Sequence, residues 1–348
     1  MMLLSLTDDW WGVAILPMAA RYHLEMELAL ALLVAFTGLV ILQHQPRWIG
    51  GLTLAVLVAA LIQPIRLERH YARNFLLRPI DVKTTIEWKK AQWMNQHWTG
   101  GRVQIAGSSL FWWAAFSDIP ELWGVDQGTT DYLIRDAEYA IYYSDVSGPV
   151  TVANAVLWLK AFGVQAVGVS GPASPEAYKM FRNPKIFEGV LEPVWREGDD
   201  VIYRVGTGDA PLARIIPSGA LVSRELTGGL DVGPLRAYVA ALDDPAIPRT
   251  QIRWTSMHSA DIEAKLQPGQ LISMQMAWSL GWHATINGQP SLVKRDGLGL
   301  MYVEPGTVGL CRIKLVYDGG LEMRFARILS LLTVLALVAL SIQGLVKH

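Results

Sequence analysis

Residues Trp48–Ile65 read WIGGLTLAVLVAALIQPI and contain no charged side chain. A helix that spans a bilayer needs about 20 mostly apolar residues, because each residue adds about 1.5 Å to its length. Two further runs have the same character, LALALLVAFTGLVIL at Leu28–Leu42 and FARILSLLTVLALVALSIQGLV at Phe325–Val346. None of the three alternates polar and apolar residues as a membrane barrel strand does. The sequence therefore predicts three transmembrane helices.

The composition agrees with a membrane-anchored protein that also has a large water-exposed part. Of the 348 residues, 51% are hydrophobic and 18% are charged, whereas soluble domains average about 25% charged. The formal net charge is -1, and no long basic stretch is present, so nucleic acid is not expected as a partner. The sole cysteine, Cys311, allows neither an internal disulfide nor a cysteine-based zinc site.

The apolar runs divide the chain into six segments. We expect an N-terminal interfacial segment at 1–23, transmembrane helices at 24–43, 47–65 and 325–346, a mixed α/β domain at 66–215, and a β-sandwich domain at 216–320. The fold class is then a membrane-anchored α+β protein. A signal-peptide core or a buried core helix is the alternative for the first run. Asp8, Asp9 and the lack of a basic start argue against a signal peptide.

Helical and strand patterns alternate in the first half of the middle section. Ile86, Trp93 and Met94, with Lys89 and Lys90, predict an amphipathic helix leaving the membrane. Further along, we predict strands in RVQIAG (102–107), VQAVGVSG (164–171) and VIYRVG (201–206), and helices in VANAVLWLKAFG (152–163) and PEAYKMF (175–181). This alternation favours a small mixed α/β unit.

The second half of the middle section has the pattern of a β-sandwich. After a predicted helix in LRAYVAALDD (235–244), nearly every segment has strand character. The predicted strands are QIRWTSM (251–257), DIEAKL (261–266), LISMQMAW (271–278), WHATING (282–288), LGLMYVE (298–304) and CRIKLVY (311–317). Turn signals such as Asn287-Gly288 and Pro305-Gly306 separate them. Short strands at this spacing are typical of a sandwich.

The closing module carries a family resemblance. The run MAWSLGWHATINGQPSLVKRDGLGLMYVEPGTVGLCRIKLVYDGG (276–320), followed by an apolar helix, resembles the last module of YfhO-like bacterial membrane proteins. The matching pieces are Gly281-Trp282, Asn287-Gly288, Gly297–Gly299, Pro305-Gly306 and Tyr317. The segments RYHLEMELAL, FWWAAFSDIPEL, LWLKAFGVQAVGVSGP, REGDDVIYRV and YVAALDDP also resemble a subgroup labelled 6-pyruvoyl-tetrahydropterin-synthase-related. That label is a domain name and does not imply pterin chemistry.

The resemblance implies a link to glycosyltransferases of the GT-C type, which use lipid-linked sugars. In that family the catalytic acidic residue lies in an early extracytoplasmic loop of a larger membrane part. That part has no counterpart here, so no catalytic residue is assigned. We expect either a truncated gene product or a chain that works beside a separate polytopic subunit. No cofactor is implied.

Orientation is predicted differently by charge and by resemblance. Arginines follow the second apolar run at Arg66, Arg69 and Arg73, and flank the start of the third at Arg324 and Arg327. Counted literally, they put the middle section in the cytoplasm, although the rule weakens for long segments. The resemblance implies an extracytoplasmic domain of a multi-pass protein in the bacterial inner membrane. We adopt that second expectation.

Polar residues at the mouth of the first helix are candidates for binding a lipid phosphate or a sugar. They are Arg21, His23, Glu25 and Glu27, and interfacial anchoring is their alternative role. Asp8 and Asp9 are candidates for a paired-carboxylate base, and helix capping is the alternative.

Aromatic residues are the other candidates, since sugar rings stack on flat aromatic faces. The chain has 14 tryptophans, and Trp112, Trp113, Trp278 and Trp282 suit a glycan groove beside Asp118 or Asp126. Core packing is the alternative for each ring. His258 and His283 are isolated, so no metal site is predicted.

Three hypotheses follow from the sequence. The first is an accessory or C-terminal part of a GT-C-like envelope glycosyltransferase, which holds a glycan or lipid-linked acceptor while catalysis takes place elsewhere. The second is a non-catalytic, membrane-tethered scaffold that contacts other envelope proteins. The third is a complete transferase with Asp8 or Asp9 as the base.

Overall fold

The computed structural model describes residues 23–43, 45–76, 80–98, 101–122, 132–144, 151–206 and 210–346. The chain divides into two units, and the described residues up to Thr84 belong to one and those from Thr85 onward to the other. The described part is a mixed α+β fold with three β-sheets. This confirms the α+β class predicted from the sequence.

The first unit contains the helices α1 (His23–Gln43) and α2 (Arg47–Tyr71), and a π-helical turn, Ala72–Leu76, follows α2. Among the described residues, one helix is long and apolar enough to cross a membrane. It covers the 28 residues Arg47–Asn74, and its most apolar window has no buried residue. The helix continues through Pro64, beyond the end expected at Ile65. A proline removes one backbone donor, and the helix-forming residues after it keep the remaining bonds.

The second unit begins, after the short 3-10 turn Val82–Thr84, with a mixed α/β region. Its elements are α3 (Ile86–His97), β1 (Arg102–Ile105), α4 (Ser108–Phe116), α5 (Tyr132–Tyr142), α6 (Val152–Ala161), β2 (Val164–Ser170), β3 (Glu192–Glu197) and β4 (Asp200–Arg204). The strand order is β1-β2-β4-β3. β1 and β2 are parallel, whereas β4 is antiparallel to both neighbours. The carboxyl ends of β1 and β2 therefore lie at one edge of the sheet.

The helix predicted at Pro175–Phe181 is wrong, because this segment has no regular secondary structure. Its backbone groups bond outside a helical ladder. The carbonyl of Tyr178 accepts from the distant Ser108 N–H at 3.1 Å, and the Glu176 N–H donates to the nearby Ser174 hydroxyl at 3.1 Å. These bonds replace a helical ladder that seven residues would barely nucleate.

Two antiparallel sheets form the sandwich-like part of the second unit. The strands are β5 (Ala213–Pro217), β6 (Gln251–Ser256), β7 (Ser259–Leu266), β8 (Gln270–Ala277), β9 (Trp282–Ile286), β10 (Gln289–Ser291), β11 (Lys294–Arg295), β12 (Leu300–Val303) and β13 (Gly309–Tyr317). One sheet has the order β10-β9-β13-β7-β6 and the other β11-β12-β8-β5. The 3-10 turn Ser218–Ala220 and helix α7 (Gly233–Asp243) lie between β5 and β6.

Alternation along the strands explains why the two sheets face each other. In β13, Cys311, Ile313 and Leu315 are buried while the residues between them are exposed. β7 alternates in the same way and pairs with β13 over eight residue positions from Gly309 to Val316. Side chains from both sheets form one apolar cluster, as expected for period-two strands with one buried face.

The α/β region and the sandwich share a continuous core. Leu235, Tyr238 and Leu242 of α7 pack in the same buried cluster as Trp158 of α6. Gln275 of β8 donates its side-chain N–H groups to the carbonyls of Lys160 and Ala161, both at 2.9 Å. Both carbonyls lie at the end of α6, where helix carbonyls lack intrahelical partners, and the Lys160 carbonyl also accepts from the Gly163 N–H at 3.0 Å. The domain boundary expected at 215/216 falls inside β5, which belongs to the sandwich sheet.

A buried carboxyl group, Asp296, closes the hairpin between β11 and β12. Its Oδ1 accepts from the N–H groups of Leu298 at 2.9 Å and Leu300 at 2.8 Å. Burial raises the pKa of Asp296 to about 7, although these backbone bonds and the charge of Arg295 oppose the rise. Because the folded state holds this proton more tightly than the unfolded chain, the Asp296 contribution to stability decreases as pH rises towards 7.

We expect Asp296→Asn to remove this pH dependence. An amide oxygen can accept the same two N–H bonds but does not ionise. The wild type should lose about 2–3 kcal/mol relative to the variant between pH 5 and pH 7. Urea unfolding of the full chain in detergent at both pH values measures this difference. If the wild type and Asp296→Asn lose the same free energy of unfolding between pH 5 and pH 7, Asp296 is not the cause of the pH dependence.

Candidate functional site

Helix α4 presents one buried and one exposed face. It follows a turn at Gly107, whose φ of 79° favours glycine. Ser108, Ser109, Leu110 and Trp113 are buried, whereas Phe111 and Trp112 are 54% and 53% exposed. Large aromatic side chains with this exposure are available to a ligand or partner.

An open groove of about 600 Å³ lies at the end of α4. The end of α3, the start of β1 and the loop after α4 form its walls. The lining residues are Asn95, Trp98, Gly101, Ala114, Ala115, Phe116, Ser117, Asp118, Ile119 and Pro120. Its size falls within the range of small-ligand sites.

A local hydrogen-bond network fixes the polar wall of the groove. Asn95 Nδ2 donates to the carbonyl of Phe116 at 2.8 Å, and the Ser117 hydroxyl donates to Asn95 Oδ1 at 2.7 Å. The same hydroxyl accepts from the Ile119 N–H at 3.2 Å. Asp118 is exposed, and within the described residues its carboxylate has no hydrogen bond or ion pair. It is therefore free to accept from a ligand.

Aromatic rings adjoin this polar wall. Phe116 lines the groove and stacks on Trp112, with ring centroids 5.8 Å apart. It also meets Trp88 edge to face at 5.1 Å. Trp98, which is 8% exposed, has the Arg204 guanidinium 5.3 Å from its ring centroid. Trp112 thus extends a flat aromatic surface from the groove into solvent.

A fully buried ion cluster lies behind α4. Lys90 Nζ is 2.6 Å from Glu176 Oε1 and 2.6 Å from Asp200 Oδ1, and all three side chains have no exposed surface. Lys90 Nζ also donates to the Ser170 hydroxyl at 2.8 Å. The Lys90 ammonium offsets the charge of both buried carboxylates, and the two carboxylates stabilise the buried ammonium.

The cluster holds the start of α4 in place. The Ser109 hydroxyl donates to Glu176 Oε1, and the adjacent Ser108 hydroxyl donates to Glu87 Oε1 at 2.9 Å. Two carboxylates therefore lie at the amino end of this helix, where negative charge is favourable. Because α4 also carries the wall of the groove, the buried ions set the position of the exposed surface.

Of the residues predicted for the site, the structure brings together those on α4 and the loop after it. Trp112 is exposed beside the groove, and Asp118 lines it. Trp113 is only 3% exposed and donates its ring N–H to the carbonyl of Ile119 at 2.9 Å. It supports the loop, so Trp112 is the ring that a ligand can reach.

The remaining tryptophan candidates lie in the sandwich. Trp282 packs against the sandwich core and against Tyr317, with ring centroids 5.1 Å apart. Trp278 donates its ring N–H to the carbonyl of Val293 at 3.1 Å. Neither lines the groove. Their roles in the structure are packing and hydrogen bonding within the sandwich.

The structure describes only some of the remaining candidate site residues. Arg21, Asp8, Asp9 and Asp126 lie outside the described residues, as do the side chains of His23 and Glu25, whose backbone belongs to α1. His283 Nε2 lies 3.3 Å from Asp318 Oδ2, and His258 packs near Tyr317. Among the described residues, no group of three or more His, Cys, Asp or Glu could hold a metal ion.

The sequence pattern predicted that Lys90 lies on an amphipathic helix, but the burial of its side chain was not predicted. A signal for it exists, since Ile86, Lys90 and Met94 are spaced by four and share one helix face. The structure buries all three. Asn95 was also missed, and a single polar residue in a helix has no local feature that marks it as part of a groove.

The described part thus defines a mixed α+β protein with three sheets, a helix able by length and composition to cross a membrane, and an aromatic-edged polar groove. Comparisons with protein-family models, curated proteins and solved structures find no match to this chain. The function is therefore argued from the residues themselves.

Proposed function

We propose that this chain is the accessory or C-terminal part of a GT-C-like envelope glycosyltransferase, akin to YfhO-like proteins. It is a multi-pass protein of the bacterial inner membrane, with α1, α2 and the C-terminal helix α8 (Gly320–Val346) as spans. Its extracytoplasmic second unit holds a glycan or lipid-linked sugar in the groove beside α4. A separate polytopic subunit supplies the catalytic residues.

The lengths and surfaces of the helices support three spans. At 1.5 Å per residue, the 21, 25 and 27 residues of α1, α2 and α8 extend about 30–40 Å, and a bilayer core is about 30 Å thick. Large apolar side chains such as Leu33, Leu57 and Leu332 are more than half exposed along them. Such surfaces are unfavourable in water and favourable in lipid.

The single observation that carries the binding proposal is the pairing of Asp118 with the aromatic surface of Trp112 and Phe116. A sugar presents hydroxyl donors at its rim and C–H groups on its ring faces. The Asp118 carboxylate, which has no partner in the described part, can accept hydrogen bonds from the sugar hydroxyls. The flat aromatic rings can pack against the C–H faces of the sugar. The fixed Asn95–Ser117 network preorganises the wall between them.

The placement of the buried ions supports catalysis elsewhere. Lys90, Glu176 and Asp200 have no exposed side-chain surface, so a substrate in the groove cannot touch them. Binding without bond cleavage fits this arrangement.

We expect Asp118→Asn and Trp112→Ala each to weaken sugar binding about tenfold or more. A hydrogen bond to a charged group contributes about 1.5–3 kcal/mol, and about 1.4 kcal/mol corresponds to a factor of ten. Calorimetric titration of the full chain in detergent, with a polyprenyl-phosphate sugar and with the free glycan, measures the affinity. Phe111→Ala is the matched control, because Phe111 is equally exposed but, unlike Trp112, does not stack on the groove residue Phe116.

The titrations separate the possible outcomes. Absence of binding by the wild type to either ligand would refute the sugar-binding proposal. Equal affinities for the wild type and all three variants would place the ligand outside this groove.

A charged surface on the sandwich favours the scaffold as second candidate. A groove of about 610 Å³ crosses the outer face of the five-stranded sheet, and none of the described residues that line it is aromatic. Its ion pairs include Arg253 with Asp261 at 3.0 Å and Arg312 with Glu263 at 3.2 Å. Mixed charges of this kind suit a protein partner. A photo-cross-linker at Lys314, on the same groove, tests this role through capture of an envelope protein.

A further inference from the structure

One end of the sandwich forms the transition into helix α8. Strand β13 ends at Tyr317, and the helix begins at Gly320. The connection is short and sharply bent, because Gly319 and Gly320 have φ angles of 81° and 62°. The direction of the helix is therefore coupled to the end of the sheet rather than left to a flexible linker.

Two turns are bonded to this transition, the β6–β7 hairpin turn and the connection from β8 in one sheet to β9 in the other. The Tyr317 N–H donates to the carbonyl of His258 in the β6–β7 turn at 2.8 Å, and the Asp318 N–H donates to the carbonyl of Gly281 in the β8–β9 turn at 3.0 Å. Each turn has an apolar residue beside the bonded one. Met257 is 89% exposed, and Leu280 is 71% exposed.

Apolar exposure continues from these turns into the helix. Leu321 and Phe325, in the first two turns of α8, are 63% and 70% exposed. Met257, Leu280 and these helix residues thus surround the point where the chain leaves the sandwich. Turn tips are normally polar, so two strongly exposed apolar tips at this one point call for a nonaqueous partner.

We infer that this end of the sandwich docks on the membrane surface, with Met257 and Leu280 inserted at the boundary between lipid head groups and acyl chains. The inference rests on the proposed function, because it requires α8 to span the bilayer. The occupant is lipid because the same end of the sheet continues directly into a long helix with an apolar surface.

Charged groups at the transition fit the head-group layer. Arg324, one turn into α8, pairs with Asp318 at 2.8 Å, and His283 approaches the same carboxylate oxygen at 3.3 Å. Asp318 Oδ1 accepts from the Gly320 N–H at 2.8 Å at the start of the helix. Arg324 is 63% exposed, so its remaining donors are available to lipid phosphates.

Spin labels at single cysteines test the docking in the full chain reconstituted into lipid nanodiscs. Cys311 is fully buried, and Cys311→Ala removes it. Met257→Cys and Leu280→Cys are the test positions, and Leu329→Cys reports whether α8 is in lipid. Val308→Cys is the matched control, because Val308 is 65% exposed but lies about 30 Å away at the other end of β13.

The measurement is the ratio of oxygen to nickel-chelate accessibility, since oxygen concentrates in lipid and the chelate in water. We expect labels at 257, 280 and 329 to show a ratio several-fold higher than the label at 308. If 329 alone is oxygen-rich, the docking is wrong while the membrane anchor stands. If the labels at 257, 280 and 329 all show the same low, water-like ratio as the label at 308, α8 does not span the bilayer. Both the proposed anchor and the docking are then overturned.

Discussion

Replacement of Lys90 by methionine is expected to destabilise the protein by about 3–5 kcal/mol, which is the range measured when one partner of a buried ion pair is removed. Methionine fills a similar space, so little of the loss comes from a cavity. The loss arises because Glu176 and Asp200 stay buried without their shared ammonium. Urea unfolding of the full chain in detergent, followed by tryptophan fluorescence, measures the free energy of unfolding.

Lys89→Met is the matched control for this change. Lys89 is the neighbouring residue on the same helix and pairs with Glu197, but both side chains are more than 40% exposed. Exposed pairs contribute about 1 kcal/mol or less. A loss below about 1 kcal/mol for Lys90→Met as well would show that the buried ions are not coupled as the geometry requires.

Gly107→Ala is expected to destabilise the protein by about 2–6 kcal/mol. The backbone angles φ 79° and ψ −155° are almost confined to glycine and cost alanine about 1–3 kcal/mol, and steric overlap adds about 1–3 kcal/mol. The new methyl group would meet Glu176 Oε2 and would lie 2.6 Å from the Tyr178 carbonyl oxygen. Relief of this overlap must move the start of α4, so sugar binding in the groove should weaken too.

Gly189→Ala separates the two causes. Gly189 has a similar φ of 74°, but no atom of the described residues lies within 4 Å of its added methyl group. This variant should lose only the backbone contribution, about 1–2 kcal/mol. Equal losses for the two variants would mean that Gly107 serves the turn alone and does not maintain the close approach of Glu176.

The sequence predicts the strands of the sandwich well because their pattern is local. Alternate burial along β7 and β13 and the turn at Asn287-Gly288 are visible within ten residues. The strand β3 and the helices α4 and α5 were not predicted. The assignment of β5 to the sandwich depends on pairing with β8, more than 50 positions along the chain, and no local pattern encodes such a partner.

The candidate site was predictable only in its exposed part. Trp112 and Asp118 are close in sequence, so helix α4 and the loop after it bring them together. Lys90 meets Glu176 across 86 positions, and its apolar helix face indicates burial without naming a partner. The predicted three spans, the orientation and the family resemblance stay predictions, and the nanodisc measurement tests α8 directly.

The position of β13 has a mechanical consequence. It is the middle strand of its five-stranded sheet, and its carboxyl end leads into α8. The last residues of β13 are paired with β7 on one side and with β9 on the other. Tension from a moving helix would therefore reach both neighbouring strands at once.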